Sequence, residues 1–468
     1  MNVLNHLKKH QELYAVLAIA LLARLLYFFD FHEIWWDSGV YLGMAKYLWS
    51  AGSAGLWEHI RPVLWPLLIG VAWWLKLNMV WFARVFELVI SMISIALVYA
   101  LGRKLFSQRA AVIASILWAF SAIGFYLSFH EYTELPAVTL VLAALLAFTD
   151  ERWAWAGVFA SLAFLMKFPA GIFVPVLVIA LLAQKRWRAL LPFGIGFAVP
   201  TAAFLVFNQL MYGTAFGPLI DAHASILSVL GCNVLRYQPW WQYVVWIFTD
   251  NLLNVAAIGG IALVVARGKK QQVLPVLALV IPAVYFMQMH CREYRYLVLF
   301  LPMVSLFAGA GIAAAGDWLN RKRLWTAVVL VVVAASVFQG VLFYQGNERL
   351  TPDLAAEQYD HWLGGRHIDG EIWSSNPVVS VYTDAPVQKI YYPLYEQGSA
   401  TDFTNYLRAH AGRVGAVLLD NCGGGIICPQ GDVHCAEQLN ATRSILNQNF
   451  KQVFFAQSGN CWYSIYAH

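Results

Sequence analysis

Charge is scarce in this chain. Of 468 residues only 12% are Asp, Glu, Lys or Arg, against 60% hydrophobic, and the mean hydropathy is +0.59. So little polar material cannot clothe a soluble globule of that length, which leaves a polytopic membrane protein. Basic residues outnumber acidic ones, 31 to 26, but they fall in small clusters between apolar stretches and form no continuous face, which argues against a nucleic-acid partner. No small-residue cleavage site follows the apolar run 13–29, so it reads as an uncleaved first transmembrane helix. Nor is there an internal repeat, the feature on which many transporters are built.

Apolar runs of the length a bilayer needs, about 17–25 residues, fall at 13–29, 80–102, 110–128, 190–208, 243–266, 273–289, 296–315 and 324–344, with shorter ones at 135–149, 153–166 and 168–183. The stretch 62–77, with Trp65, Trp73, Trp74 and Lys76, reads as a helix lying in the interface. Counting it as a crossing would put Arg103, Lys104 and Arg109 outside. Without it, the basic clusters at Lys8/Lys9, Arg103/Lys104/Arg109, Lys185/Arg186/Arg188, Arg267/Lys269/Lys270 and Arg321/Lys322/Arg323 share one side, the cytoplasm. The expectation is therefore an α-helical plasma-membrane protein of about eleven transmembrane helices. Its N-terminus is cytoplasmic, and a long loop (30–79), a second loop (209–242) and the tail lie outside.

After residue 345 the composition becomes mixed. Strand-like runs at 377–383, 414–419 and 453–455 and a helix-like stretch at 402–410 point to a small extracytoplasmic α/β domain over 346–468, beside a membrane domain over 1–345. Four of the six cysteines are here: Cys422, Cys428, Cys435 and Cys461. An even number outside the cytoplasm, without a C-x-x-C knuckle, favours two disulfides over a zinc site and leaves three pairings open. Cys232 and Cys291 stand near outer helix ends, and nothing in their spacing decides whether they pair.

Four polar groups cluster on the outer side. The first loop reads HEIWWDSGVYLGMAKYL, in which Asp37 opens an amphipathic stretch and could serve simply as its N-cap. The second is HEYTELP, where His130, Glu131 and Glu134 precede a membrane helix that Pro136 helps to open, with the two carboxylates spaced for one helical face. Their plain reading is complementarity to the helix dipole. The third joins Arg61-Pro62 with Lys167 in a K-F-P turn, and the fourth is HCREYRYL, with His290, Arg292, Glu293, Arg295 and Tyr296. Ionisable residues at a membrane boundary mark function by default. Carboxylates alone suggest a cation path, and arginines and lysines alone suggest phosphate capture. Both together suit a reaction in which a hydroxyl loses a proton while a phosphate departs.

The order of these motifs resembles the GT-C class of membrane glycosyltransferases, in the protein O-mannosyltransferase and aminoarabinose-transferase branch. They run from an outer-loop Asp with a Tyr-containing helix, through Arg61-Pro62, a GRKLF inner turn at 102–106 and the acidic turn, to an L-x-K-x-P turn at Lys167 and E-x-R-Y-L at 293–297. The resemblance covers about residues 10–345. It implies inverting transfer of a sugar, mannose by default, from a polyprenyl-phosphate carrier to a hydroxyl of a glycolipid, glycan or protein acceptor on the outer leaflet. Asp37 would be the catalytic base, with Glu131 and Glu134 as the second acidic motif, orienting the acceptor or, in some branches, binding a divalent metal. Arg61, Lys167, Arg292 and Arg295 would hold the phosphate, and His130, His290, Glu293 and Tyr296 would line the substrate site. The chain departs from the pattern at Asp37-Ser38, where many relatives carry Asp-Glu, and at Arg61-Pro62-Val63, where the second proline is missing. These departures leave the sugar and acceptor undefined. The resemblance expects Asp37, Arg61, Lys167 and Arg295 to converge. A secondary transporter is the alternative reading, disfavoured because the polar residues crowd one face and mid-span charge, Arg24 apart, is scarce.

Overall fold

A computed structural model describes residues 11–228, 238–267, 273–289, 292–318, 322–348, 351–390, 398–421, 428 and 431–468. The chain divides into two compact units, one of Met1–Asp30, Arg84–Gly213 and Pro239–Glu348, the other of Phe31–Ala83, Thr214–Gln238 and Arg349–His468. The division follows space and not chain order: the first loop packs with the tail.

The first unit is helical. Among the described residues three helices are long and apolar enough to cross a membrane: Met79–Leu105, Trp187–Tyr212 and Trp325–Asn347. Eight further apolar helices are shorter, at 10–17 residues. At 1.5 Å per residue the longest of these spans about 25 Å, less than a bilayer's apolar thickness, so helix lengths alone do not give eleven complete crossings. Two of the expected spans are broken by buried polar groups. The run 110–128 stops at Ala119 and restarts at Ala122, where Ser121 accepts from the Gly124 amide at 3.1 Å. The run 243–266 stops at Asp250, whose carboxylate accepts from the Ile123 amide at 2.9 Å and the Tyr294 hydroxyl at 3.1 Å. Backbone groups freed at such breaks need partners, and these side chains supply them. Arg24, 1% exposed, donates to the Ala20 and Ala119 carbonyls at 3.3 and 2.9 Å.

The second unit is built on a five-stranded sheet of order β2-β1-β3-β5-β4, from β1 (Glu371–Ser374), β2 (Val387–Lys389), β3 (Val414–Asp420), β4 (Lys451–Ser458) and β5 (Cys461–Ala467). The first three strands are parallel and β5 runs antiparallel between β3 and β4. The expected runs 414–419 and 453–455 lie in strands, and the helix Ser399–His410 contains 402–410. The run 377–383 is not a strand. Asn376 accepts from the Val378 amide at 3.0 Å and Pro377 presets the next φ, which winds Pro377–Val381 into a 3-10 turn. Against that turn lies the Trp36–Trp49 helix. A Cβ added to Gly39 would stand 2.8 Å from the Val378 amide nitrogen, so only glycine permits the approach. The buried Lys46 locks the same contact by donating to the Val381 and Thr383 carbonyls at 2.6 and 2.8 Å.

Cys428 and Cys435 form a disulfide, and Cys461 is also disulfide-bonded. Cys422, like Cys232 and Cys291, lies outside the described residues. The stretch 62–77 holds two short helices, Leu64–Ile69 and Val71–Trp74.

Candidate functional site

In the second unit, the Trp36–Trp49 helix begins after Trp35, which places Asp37 in the first turn and not at the N-cap. Its carboxylate is engaged elsewhere, 2.8 Å from Arg61 Nη2. The pair is largely buried, with side-chain exposures of 9% and 24%. Arg61 also reaches Glu58 (Nε to Oε2, 3.5 Å), and Glu58 meets Lys389 Nζ at 3.0 Å. The Arg61 guanidinium lies over the Tyr41 ring at 5.9 Å and the Lys389 ammonium over the Trp36 ring at 4.8 Å. Burial pushes the Glu58 carboxyl up, but Lys389 and Arg61 outweigh it and hold the group below its ordinary value. Burial pushes the Lys389 ammonium down, and Glu58 only partly restores it. The result is a row of alternating charge, Asp37, Arg61, Glu58, Lys389, whose members neutralise one another.

A second cluster belongs to the first unit. Glu134, the first residue of the Glu134–Thr149 helix, is fully buried and accepts from Lys167 Nζ at 2.8 Å, with Arg295 Nε 3.4 Å from the same oxygen. Lys167 is an extended residue between two helical segments, Trp153–Met166 and the 3-10 turn Phe168–Ile172, and this break aims its ammonium at Glu134. Arg295 sits on the 3-10 turn Tyr294–Leu299 and also pairs with Glu293. The Tyr296 ring lies under both cations, at 5.1 Å from Lys167 and 5.6 Å from Arg295, and Tyr132 is 5.5 Å from Arg295. In a site of low polarity such rings stabilise cations that lack water.

Glu131 and Glu134 do not share a helical face. Glu131 lies in the loop before the helix and pairs with Arg84 at 2.8 Å. His130 Nε2 stands 3.0 Å from Glu348 Oε2. Arg292 donates to the Met287 carbonyl through Nε at 2.9 Å and Nη2 at 2.7 Å, which ends the Val273–Gln288 helix. His290 lies outside the described residues.

The structure thus brings Asp37 to Arg61 in one unit, and Lys167, Arg295, Glu293 and Tyr296 to Glu134 in the other. Sequence reasoning missed Glu58, Lys389, Arg84, Glu87 and Glu348. Arg84 and Glu87 carried a signal, two charges within an apolar run. Glu87 is fully buried, and neither of its carboxylate oxygens has a hydrogen-bond partner among the described residues. Lys389 and Glu58 carried none, because an ordinary lysine in a mixed α/β segment reads as surface. Among the described residues no group of three or more His, Cys, Asp or Glu is placed to hold a metal ion. Glu131 and Glu134, which the resemblance associates with one, are each engaged by cations, so this donor set does not fit a metal.

Residues 61–212 match the family described as dolichyl-phosphate-mannose-protein mannosyltransferase. Arg61, Arg84, Glu131, Glu134 and Lys167 all lie in that stretch. No curated protein matches the chain in sequence. Among solved structures, ArnT from Cupriavidus metallidurans bound to undecaprenyl phosphate is similar at a TM-score of 0.68 and 12% identity, over 97% of this chain and 98% of that one. The Archaeoglobus fulgidus oligosaccharyltransferase in its apo form is similar at 0.61 and 13% identity, over 88% of this chain and 70% of the other. The mycobacterial arabinofuranosyltransferase AftD gives 0.60 and 13%, over 98% of this chain but 40% of its own. The chain shares the fold of these GT-C glycosyltransferase structures, and the mannosyltransferase family match covers about a third of it.

Proposed function

We propose that the protein is a polyprenyl-phosphate-sugar-dependent glycosyltransferase that inverts the anomeric carbon, with mannose as the sugar and the outer membrane face as the place of reaction. The observation that carries the reading is the buried Asp37–Arg61 pair, at 2.8 Å, with Arg61 opening the stretch that matches the mannosyltransferase family. The similar ArnT structure holds undecaprenyl phosphate, which supports a lipid-linked donor here. The side on which the basic clusters fall supports an outer-face reaction, with the N-terminus cytoplasmic.

In the reaction, an acceptor hydroxyl forms a bond to the anomeric carbon as the bond from that carbon to the phosphate oxygen breaks. Asp37 takes the hydroxyl proton, and Arg61 holds its carboxylate in place at 2.8 Å. An arginine fork can serve a carboxylate and a phosphate oxygen together. In the first unit Lys167 and Arg295 are each held by Glu134, so their positive charge is preorganised, the arrangement that stabilises a departing phosphate in a water-poor setting.

The test is transfer of label from radiolabelled polyprenyl-phosphate mannose to a glycolipid or protein acceptor extract by the purified protein. Asp37→Asn should lower transfer by about 100- to 10,000-fold, the usual contribution of a general base, while leaving folding and donor binding intact. Full activity in this variant would remove Asp37 from its role. Label that moves only from a donor carrying another sugar would keep the mechanism and replace mannose.

A further inference from the structure

We propose that Lys389, carried by the sheet of the tail, is a positioning residue for the general base: by neutralising Glu58 it leaves Arg61 to Asp37. The inference rests on the reading of Asp37 as base. Lys389 ends β2, and its pairing with Ser374 in the parallel register fixes where its backbone stands. The side chain is 5% exposed, with its ammonium 3.0 Å from Glu58 and over the Trp36 ring. A lysine stripped of water in this way contributes nothing to solubility. Its role is tied to Glu58: apolar replacement of both members of such a buried pair is often neutral, whereas removing the lysine alone leaves a buried carboxylate without it.

The geometry shows what the charge does. Arg61 is shared by two buried carboxylates, closer to Asp37 at 2.8 Å than to Glu58 at 3.5 Å. If Glu58 had no other cation, it would compete for the same guanidinium at full charge. Lys389 removes that competition, and the tail thereby sets the electrostatic state of a residue some 350 positions earlier in the chain. Other titratable groups nearby do not substitute for it. Tyr41 lies under Arg61, and Lys46 is paired with Asp384 at 3.5 Å near the other end of the helix. Of the segments packed on that helix, Pro377–Val381, Leu64–Ile69 and Val71–Trp74 carry no titratable side chain, the loop before Arg61 adds His59, paired with Asp221 at 3.2 Å, and the shared core adds Tyr359.

Counting charges around Asp37 gives the experiment. Arg61, Lys389 and Glu58 together present one net positive charge. Lys389→Met leaves none, Glu58→Gln leaves two, and the double variant restores one. The pH profile of kcat/KM for sugar transfer should therefore keep its acid limb in Lys389→Arg and move it to higher pH by about one unit in Lys389→Met. That shift is roughly a tenfold loss on the acid side with little change at the alkaline plateau. In Glu58→Gln/Lys389→Met the limb should return to its wild-type position. If Lys389→Met does not fold, Glu58→Gln alone decides, because its limb should move to lower pH. A uniform drop in rate with an unmoved limb, or a double variant as displaced as the single one, would overturn the inference. A wild type that transfers no sugar would overturn the glycosyltransferase reading, and this inference with it. A wild type that transfers, with a limb insensitive to both charges, overturns this inference alone.

Discussion

At the scale of single residues, the membrane unit holds its charges as buried pairs, and such pairs are asymmetric in energy. Arg84 and Glu131 are 6% and 0% exposed, with 2.8 Å between Nε and Oε1. Removing one partner strands the other without water, at a cost of about 3–5 kcal/mol, whereas removing both is far milder. Arg84→Met should therefore lower stability by about that amount in detergent denaturation, and Arg84→Met/Glu131→Gln should recover most of it; equal losses would show that the two do not act as a pair. Sequence reasoning found Glu131 and Glu134 as candidates because their spacing and the following proline mark a helix entrance. It paired them with each other on one face. The structure gives each its own cation, because the helix starts only at Glu134 and Glu131 stays in the loop. The pairings of Arg84 and Glu348 were not found, since a partner dozens or hundreds of positions away leaves no local spacing to read, although Arg84 stands out as a charge within an apolar run.

At the scale of elements, period and turn chemistry were legible where they were locally dominant. The helix Ser399–His410 and the strands Val414–Asp420 and Lys451–Ser458 contain the runs 402–410, 414–419 and 453–455 visible in the sequence. The run at 377–383 misled because its β-branched residues suit a strand. Asn376 and Pro377 supply a stronger local instruction, and the segment turns once and packs on the Trp36–Trp49 helix. Gly39 is the hinge of that contact. Gly39→Ala would place a methyl group 2.8 Å from the Val378 backbone, which cannot swing away as a side chain would. The expected loss is about 1–3 kcal/mol of stability, read as a lowered Tm, with a weaker Asp37–Arg61 pair as its consequence for transfer. An unchanged Tm would show that the two elements separate without penalty. The breaks at Ser121 and Asp250 belong to the same scale: hydropathy averages over a polar residue, but the backbone stops at it when a distant donor or acceptor is there to receive it.

At the scale of the molecule, each unit carries its own buried chemistry. In the second unit Asp360 ends the Leu354–Asp360 helix with its Oδ1 buried and without a hydrogen-bond partner among the described residues. Burial, then Asp420 and Glu33, hold its carboxyl well above the ordinary aspartate value. A raised acid favours the folded state while it is protonated, so its contribution is complete below the ordinary aspartate range and is lost as pH rises through the folded value. Asp360→Asn should remove that slope, giving a Tm at neutral pH above the wild type's and a smaller difference between acid and neutral buffer. A slope as steep as the wild type's would place its origin elsewhere. Composition by itself determined that the chain lives in a membrane, because a chain with so few charges has no other solvent. The order of short polar motifs pointed to the GT-C class. Only the tertiary structure decided which carboxylate faces which cation, that the first loop packs with the tail, and that Lys389 joins the row beginning at Asp37. Burial and periodicity act over a few residues and leave a trace in local sequence, whereas a charge pair closes through space and leaves none.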